Sequence, residues 1–328
     1  MKAYVQHRYG PPDRLELTDV PAPVPAAGEV LVRVRATSVN PYDWHLLRGE
    51  PRVARLMPGL VGLRAPKFPV PGCDLAGQVE ATGQGVTQFR PGDDVFALVT
   101  HGCYAEYVTV PETLLARMPG SLSFEQAAAV PMAALTALIG LRDTGRVESG
   151  QQVLVNGASG GVGTFAVQLA LAFGARADAV CRAANAGLVR SLGADEVIDR
   201  GSADFTRCGK RYDLLLDIGG SRQVPACRRV LTPAGTMVLI GGRAGRWLQP
   251  AGHVFAAMAM SPLVRQRVAL AQTVIGPGRQ EDLRTLAKLA DDGRLTPVIG
   301  ARYPFARLPQ AITDQESGRI PGKVVITL

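Results

Sequence analysis

The sequence contains no run of roughly 18 to 20 uncharged apolar residues, the length a membrane-crossing helix requires, so no such span is expected. Its opening, MKAYVQHRYGPP, lacks the apolar block of a secretory signal, and a cytoplasmic protein is expected. There are only five cysteines, Cys73, Cys103, Cys181, Cys208 and Cys227, and no two form a CxxC pair. An odd, unpaired set argues against a disulfide framework and against a cysteine-rich zinc lobe, and it suits a reducing compartment. Blocks of like charge are also lacking. The net charge is +8, but the basic residues are scattered, which argues against a nucleic-acid footprint. The excess fits a solvated arginine-rich surface or attraction for an anionic cofactor. No internal repeat or low-complexity tract is present.

What is there is ample core material. Hydrophobic residues make up 47% of 328 and charged residues 20%, which suggests two globular domains. Up to about residue 118 the chain reads as short strands and turns. In VLVRVRA, Val30, Val32 and Val34 share one face while Arg33 and Arg35 take the other, the period of a half-buried strand. Turn signals follow closely at Pro71-Gly72, Gly83 to Gly85, Pro91-Gly92-Asp93 and His101-Gly102, as in a small barrel or sandwich. Near Pro119 the texture changes: SFEQAAAVPMAALTALIGL is helix-rich, with Ser123 as a candidate cap. From Gln152 apolar runs (VLVN, AVC, LLLD, TMVLIGG) alternate with helical patterns, clearest over 162–173 and 280–292. That alternation predicts an α/β fold with a doubly wound parallel sheet. The final KVVITL reads as a strand returning to the first domain. The expected division is therefore 1–118 with 302–328, and 119–301. The apolar stretch 254–260, VFAAMAM, is too short to span a bilayer and reads as core or subunit interface.

The most informative stretch is VLVNGASGGVGTFAVQLALAFGA. A glycine-rich turn between a buried strand and a helix can bring bare backbone against a pyrophosphate, with helix-terminal N–H groups aimed at it. Ala158 stands at the first position of the fingerprint, with Gly160 and Gly163 at the spacing of the other two; Ser159, Gly161 and Val162 complete the expected cradle. At the end of the next strand an acid would accept a bond from a ribose 2′-hydroxyl and repel a 2′-phosphate. AVCRAAN has none from Cys181 to Asn185, and Arg182 is placed to pair with a phosphate, so NADPH is favoured. Asp178, earlier in that strand, would take the acid's role if the register slipped. Asp217, at the end of LLLD, and the amides of Ile240, Gly241 and Gly242 are the next candidates, the latter for the carboxamide.

These pieces, taken in order, resemble the medium-chain dehydrogenase/reductase superfamily in its zinc-independent NADPH:quinone oxidoreductase-like branch. The resemblance rests on SVNPYDWHLLRG (38–49), FPVPGCDLAGQVEATG (68–83), FRPGDDVFA (89–97) and GCYAEYVTV (102–110). It continues through AAAVPMAALTA (127–137), the glycine turn, LGADEVID (192–199), YDLLLDIGG (212–220), LTPAGTMVLIGG (231–242) and GKVVI (322–326). It implies a GroES-like β-rich catalytic domain (1–118 and 302–328), a Rossmann domain (119–301), a homodimer, and NADPH-dependent reduction of quinones or activated alkenes. The cofactor would lie across the strand ends, with the substrate in an interdomain cleft.

Zinc alcohol dehydrogenases of that superfamily hold their metal with a cysteine, a histidine and a later cysteine. By resemblance those places fall on Asn40, Cys73 and the 131–136 stretch, which has neither cysteine nor histidine. One thiol does not make a zinc site, so no metal is expected. Hydride must then go to an acceptor that needs little Lewis-acid help, a quinone or an enone. Asn40 is expected near the nicotinamide or the substrate oxygen, with Asp43 orienting it; the plainer alternative is an Asx cap beside Pro41. Tyr42 and His45 are candidate proton donors, Cys73 reads as packing, and Asp74 as lining the cleft or fixing a turn. By resemblance Lys323 lies close to the cofactor; a solvent-facing lysine is the alternative. The acid-free stretch 51–68, with Arg52, Arg55, Arg64 and Lys67, reads as a lid or a solvated loop, and Trp247 and Phe255 as pocket wall or core. A biosynthetic enoyl or enone reductase with one substrate, and a non-catalytic NADPH-binding sensor protein, remain as alternatives.

Overall fold

A computed structural model of the chain describes residues 1–50, 52, 55, 62–241, 265–271 and 278–328. Gly242, Trp247, Phe255 and the stretch 254–260 lie outside the described residues, as does most of the expected lid between 51 and 61. Arg55 is described. Its guanidinium donates to the carbonyls of Gly49 and Arg48, each at 2.8 Å, and so covers a helix C-terminus. The chain divides into two compact units, Met1–Leu135 with Val274–Leu328, and Thr136–Thr273.

The first unit is β-rich. β1 (Lys2–Val5) and β2 (Glu16–Asp19) form an antiparallel pair. β3 (Glu29–Val39) is the spine of the main sheet. With β4 (Asp74–Thr82), β5 (Asp94–Leu98), β6 (Tyr107–Pro111), β7 (Leu115–Arg117), β14 (Ile299–Pro304) and β15 (Lys323–Thr327) it forms the order β14-β15-β3-β4-β5-β7, with β6 also on β3. The alternation in β3 has the predicted outcome. Val30, Val32 and Val34 are buried, and Arg33 and Arg35 are exposed. They pack with Leu75, Val79, Val95, Val110 and Leu115 into one core. Leaving β3, Asn40 is extended (φ −125°, ψ 157°) and Pro41 opens the helix Pro41–Arg48 at its first position, where a missing N–H costs nothing. Gly49, left-handed at φ 58°, closes it. Ser123 accepts from the Gln126 N–H and caps the helix Phe124–Ala128, as its sequence predicts.

The second unit holds a six-stranded parallel sheet. Its strands are β8 (Gln152–Asn156), β9 (Arg176–Cys181), β10 (Val197–Asp199), β11 (Tyr212–Asp217), β12 (Leu231–Leu239) and β13 (Arg267–Leu270). The order is β10-β9-β8-β11-β12-β13, that is 3-2-1-4-5-6 in chain order, the doubly wound dinucleotide-binding arrangement. Val153 to Val155 and Leu214 to Leu216 are buried, as central parallel strands covered on both faces must be. The helix Gly161–Ala172 follows β8, and the helix Arg279–Asp291 lies in the first unit. Among the described residues no helix is long and apolar enough to cross a membrane.

Candidate active site and dinucleotide cradle

Within the first unit, the end of β3, the start of β4 and the start of β15 bring a polar cluster together. Asp74 is its hub. Its Oδ2 accepts from Asn40 Nδ2 at 2.9 Å, from Lys323 Nζ at 3.2 Å and from the Ser38 hydroxyl, while Oδ1 accepts from the Met132 N–H at 2.8 Å. Lys323 Nζ also donates to Asn40 Oδ1. The Asn40 amide is therefore fixed at both ends, oxygen toward the ammonium and nitrogen toward the carboxylate, with Cys73 Sγ at 3.6 Å from the same nitrogen. Asn40, Asp74 and Lys323 are all buried.

Asp43 is brought there too, but by the backbone. Its Oδ2 accepts from the Asn40 N–H at 2.7 Å and tethers the helix start, as a capping side chain does. The Asn40 side chain at the same time bonds Asp74 and Lys323. The Cys73 thiol donates to Asp43 Oδ1 at 3.5 Å. Burial pushes the Asp43 carboxyl up to about 6, and the nearby Asp74 charge adds to this. Burial, with Asp43 and Asp74 alongside, pushes the Cys73 thiol well up, so Cys73 is no nucleophile at neutral pH. Tyr104, also buried, sits beside Asp43 without a hydrogen bond of good geometry.

The two candidate proton donors separate. Tyr42 lines a small cavity with Tyr9, Phe68 and His101, and burial followed by the Cys73 and Asp43 charges raises its phenol. His45 turns elsewhere. Its ring packs on Trp44 at 3.8 Å between centroids, its Nδ1 is buried without a partner among the described residues, and its charged neighbours are Glu316 and Arg48.

The cluster also answers whether the zinc implied by such folds suits these residues. It does not. Cys73 offers one thiol, the Asn40 oxygen already takes an ammonium, and among the described residues no group of three or more His, Cys, Asp and Glu side chains is arranged for a metal.

In the second unit the cradle follows from strand, turn and helix. Gly157, left-handed at φ 95°, makes the sharp turn one residue ahead of Ala158, and the N–H groups of both donate to Val180 O. Gly163 is pressed onto that turn: a Cβ there would stand 2.2 Å from Gly157 O and 2.6 Å from Ala158 Cα. Gly160 is different. Among the described residues a Cβ on it would meet only Gly157 O, at 3.4 Å, so its bareness leaves room for a ligand there. The N–H groups of Gly161, Val162 and Gly163, first in the helix, have no backbone acceptor among the described residues. Three such donors and empty space beside them fit a pyrophosphate. Ser159 Oγ accepts from Asn185 Nδ2 at 3.1 Å, tying the turn to the chain after β9.

At the end of β9, Asp178 is withdrawn from any ribose role. It is buried mid-strand, opposite Leu154, and accepts from Tyr212 Oη, Lys210 Nζ and the Glu196 N–H. Arg182 has no ion-pair partner among the described residues. Sequence reasoning missed its neighbour Arg200, which the pairing of Asp199 with Cys181 across β9 and β10 brings alongside. The Arg200 N–H donates to Cys181 O at 2.9 Å, and its guanidinium too is unpaired among the described residues. Asp199, which precedes Arg200 and pairs with Cys181, is occupied by the N–H groups of Ala183 and Gly201 and the Ser202 hydroxyl.

Asp217 is buried and turned inward, accepting from Asn156 Nδ2 at 2.6 Å and the Gly220 N–H at 3.0 Å. It braces the ends of β8 and β11, and Asn156, also missed in the sequence, is its partner. The N–H groups of Ile240 and Gly241 donate to Asp217 O, at 3.0 and 3.4 Å, so in this conformation neither is spare for a carboxamide. Lys323 belongs to the first unit's cluster described above.

Residues 26–120 match the family model of the alcohol dehydrogenase GroES-like domain, and residues 192–326 that of the zinc-binding dehydrogenase. The chain is 34% identical over 359 residues to the human mitochondrial NAD(P)H oxidoreductase RTN4IP1, covering 100% of this chain and 89% of the relative. It is 31% identical over 325 residues to a chloroplast envelope quinone oxidoreductase homolog of Arabidopsis thaliana, covering 95% and 93%. Among solved structures it resembles the quinone oxidoreductase from Coxiella burnetii, with a TM-score of 0.86 at 27% identity, covering 100% and 99% of the chains. It also resembles the CurK enoyl reductase, with a TM-score of 0.87 at 25% identity, covering 99% and 98%.

Proposed function

Because the chain belongs to the medium-chain dehydrogenase/reductase superfamily, in its quinone oxidoreductase-like branch, we propose that it catalyses zinc-independent hydride transfer from NADPH to a quinone or an α,β-unsaturated carbonyl. The observation that carries this reading is the donor set around Asn40: an amide, a carboxylate and an ammonium already bonded to one another. Such a cluster can present polarity but not a Lewis acid. The acceptor must therefore delocalise incoming charge onto its own oxygen, as quinones and enones do.

A bound reduced dinucleotide supplies the hydride. Gly161, Val162 and Gly163 would hold its pyrophosphate, and Arg182 with Arg200 its 2′-phosphate. Asp217 keeps the floor of that site in place through Asn156 and Gly220. In the first unit Lys323 and Asp74 orient Asn40, so that its amide is set before an acceptor arrives and need not reorganise. We further propose that the protein works as a cytoplasmic homodimer.

The test is the absorbance of reduced nicotinamide, read with NADPH or NADH against a panel of quinones and enones. Oxidation with many quinones supports the proposal. Turnover of a single enone supports the second reading, a dedicated enoyl reductase, which the likeness to the CurK enoyl reductase favours. Cofactor binding without any oxidation would leave a sensor and end the enzymatic reading.

A further inference from the structure

His101 belongs to no part of the reading above, yet its surroundings look built. Its ring stacks on Phe68, with centroids 3.7 Å apart and planes inclined by 17°. The Thr100 hydroxyl lies 2.7 Å from Nδ1. Nε2 has no hydrogen-bond partner among the described residues. The ring lines a cavity of about 40 Å³ with Tyr9, Tyr42 and Phe68, all within the first unit. That volume exceeds what one water needs but is far too small for a ring system. It suits one polar end of a ligand whose flat body rests on the aromatic rims.

Burial, with Lys67 beside it, holds the imidazole below its ordinary pKa, so the ring is neutral at pH 7. The 2.7 Å contact joins Nδ1 to the Thr100 hydroxyl in either tautomer; in the one where Thr100 donates, the ring proton sits on Nε2. A neutral N–H fixed by a neighbour is a preorganised donor for an oxygen that gains charge.

Resting on the oxidoreductase reading, we propose that this cavity takes the carbonyl end of a flat conjugated acceptor and that His101 Nε2–H donates a hydrogen bond to the acceptor oxygen. Tyr42 joins the cavity to the Asn40 cluster, since it lines the one and stands in the chain between Asn40 and Asp43 of the other.

The experiment uses the full chain with His101→Phe, His101→Gln and Thr100→Val. Phenylalanine preserves the stack on Phe68 and removes the N–H, whereas glutamine restores a donor. Two readouts are needed: kcat/KM for a benzoquinone, and calorimetric binding of a substituted phenol that cannot be reduced. His101→Phe should lose about 100-fold in kcat/KM, the size of a lost oxyanion donor. It should also lose about 10-fold in phenol affinity, with dinucleotide affinity unchanged. His101→Gln should recover most of both, and Thr100→Val should fall between. Wild-type values for His101→Phe, or equal losses in the phenylalanine and glutamine variants, overturn the proposal. If the wild type oxidises no reduced dinucleotide, the oxidoreductase reading fails, while the phenol arm still decides the subsite.

Discussion

Lys323 Nζ lies 3.2 Å from Asp74 Oδ2, with the two side chains 3% and 0% exposed, so the ammonium and the carboxylate form a buried ion pair, the one that Lys323 makes among the described residues. Removing one member of such a pair strands the other in a poorly solvating site. Lys323→Met should therefore lose about 3–5 kcal/mol of unfolding free energy in urea titration. A loss under about 1 kcal/mol, the size of a surface pair, would show that the pair does not hold β15 to β4.

Asn40 stands between them with both amide ends committed. Asn40→Ala should lower turnover by about 10²-fold, as the loss of a preorganised polar group does, while the circular dichroism spectrum and dinucleotide affinity stay as in the wild type. Unchanged turnover would reduce Asn40 to a structural link.

Asp43 sets a pH dependence with a definite sign. Its native carboxyl titrates near 6 against an ordinary value of 3.8. The native state thus holds a proton that the unfolded chain has already released. The stabilisation is complete below about pH 4 and lost as pH rises through 6. From this group alone the wild type should lose roughly 1–3 kcal/mol between those limits. Asp43→Asn should lack that fall when urea midpoints are compared at pH 4.5 and 7.5. An identical fall in both proteins would assign it to other groups.

Arg182 and Arg200 are predicted to act together on the 2′-phosphate. Arg182→Ala should weaken NADPH by about 10-fold, one charge-assisted contact, and leave NADH nearly unchanged in fluorescence titration. Arg200→Ala should do the same, and the double variant should bind the two dinucleotides alike. Equal weakening of NADPH and NADH would take these arginines away from the phosphate.

Two glycines of the turn should separate fold from binding. Gly163→Ala drives a Cβ into Gly157 O and Ala158 Cα and should destabilise the second unit by about 2 kcal/mol or more, as overpacking does. Gly160→Ala meets only an ordinary contact, so the thermal midpoint of the free protein should hold while dinucleotide binding is lost. Retained binding by Gly160→Ala would move the pyrophosphate elsewhere.

The sequence by itself determined what depends on local periodicity and local stereochemistry. The alternation of Val30, Val32 and Val34 with Arg33 and Arg35 marks β3 because side chains alternate faces at each residue. The strand-glycine-helix order of 153–172 marks the cradle because only bare backbone can turn there and approach a phosphate. The tertiary structure decided everything that rests on partners distant in the chain. That Lys323 pairs with Asp74, that Arg200 joins Arg182, and that His45 turns from Asn40 while His101 joins Tyr42 follow from strand order and register, which no short window contains. The Asn40 amide shows the division most plainly. Its place after β3 is written in SVNPYDW, but its orientation was set by a lysine 283 positions away, because a buried amide must satisfy both of its ends.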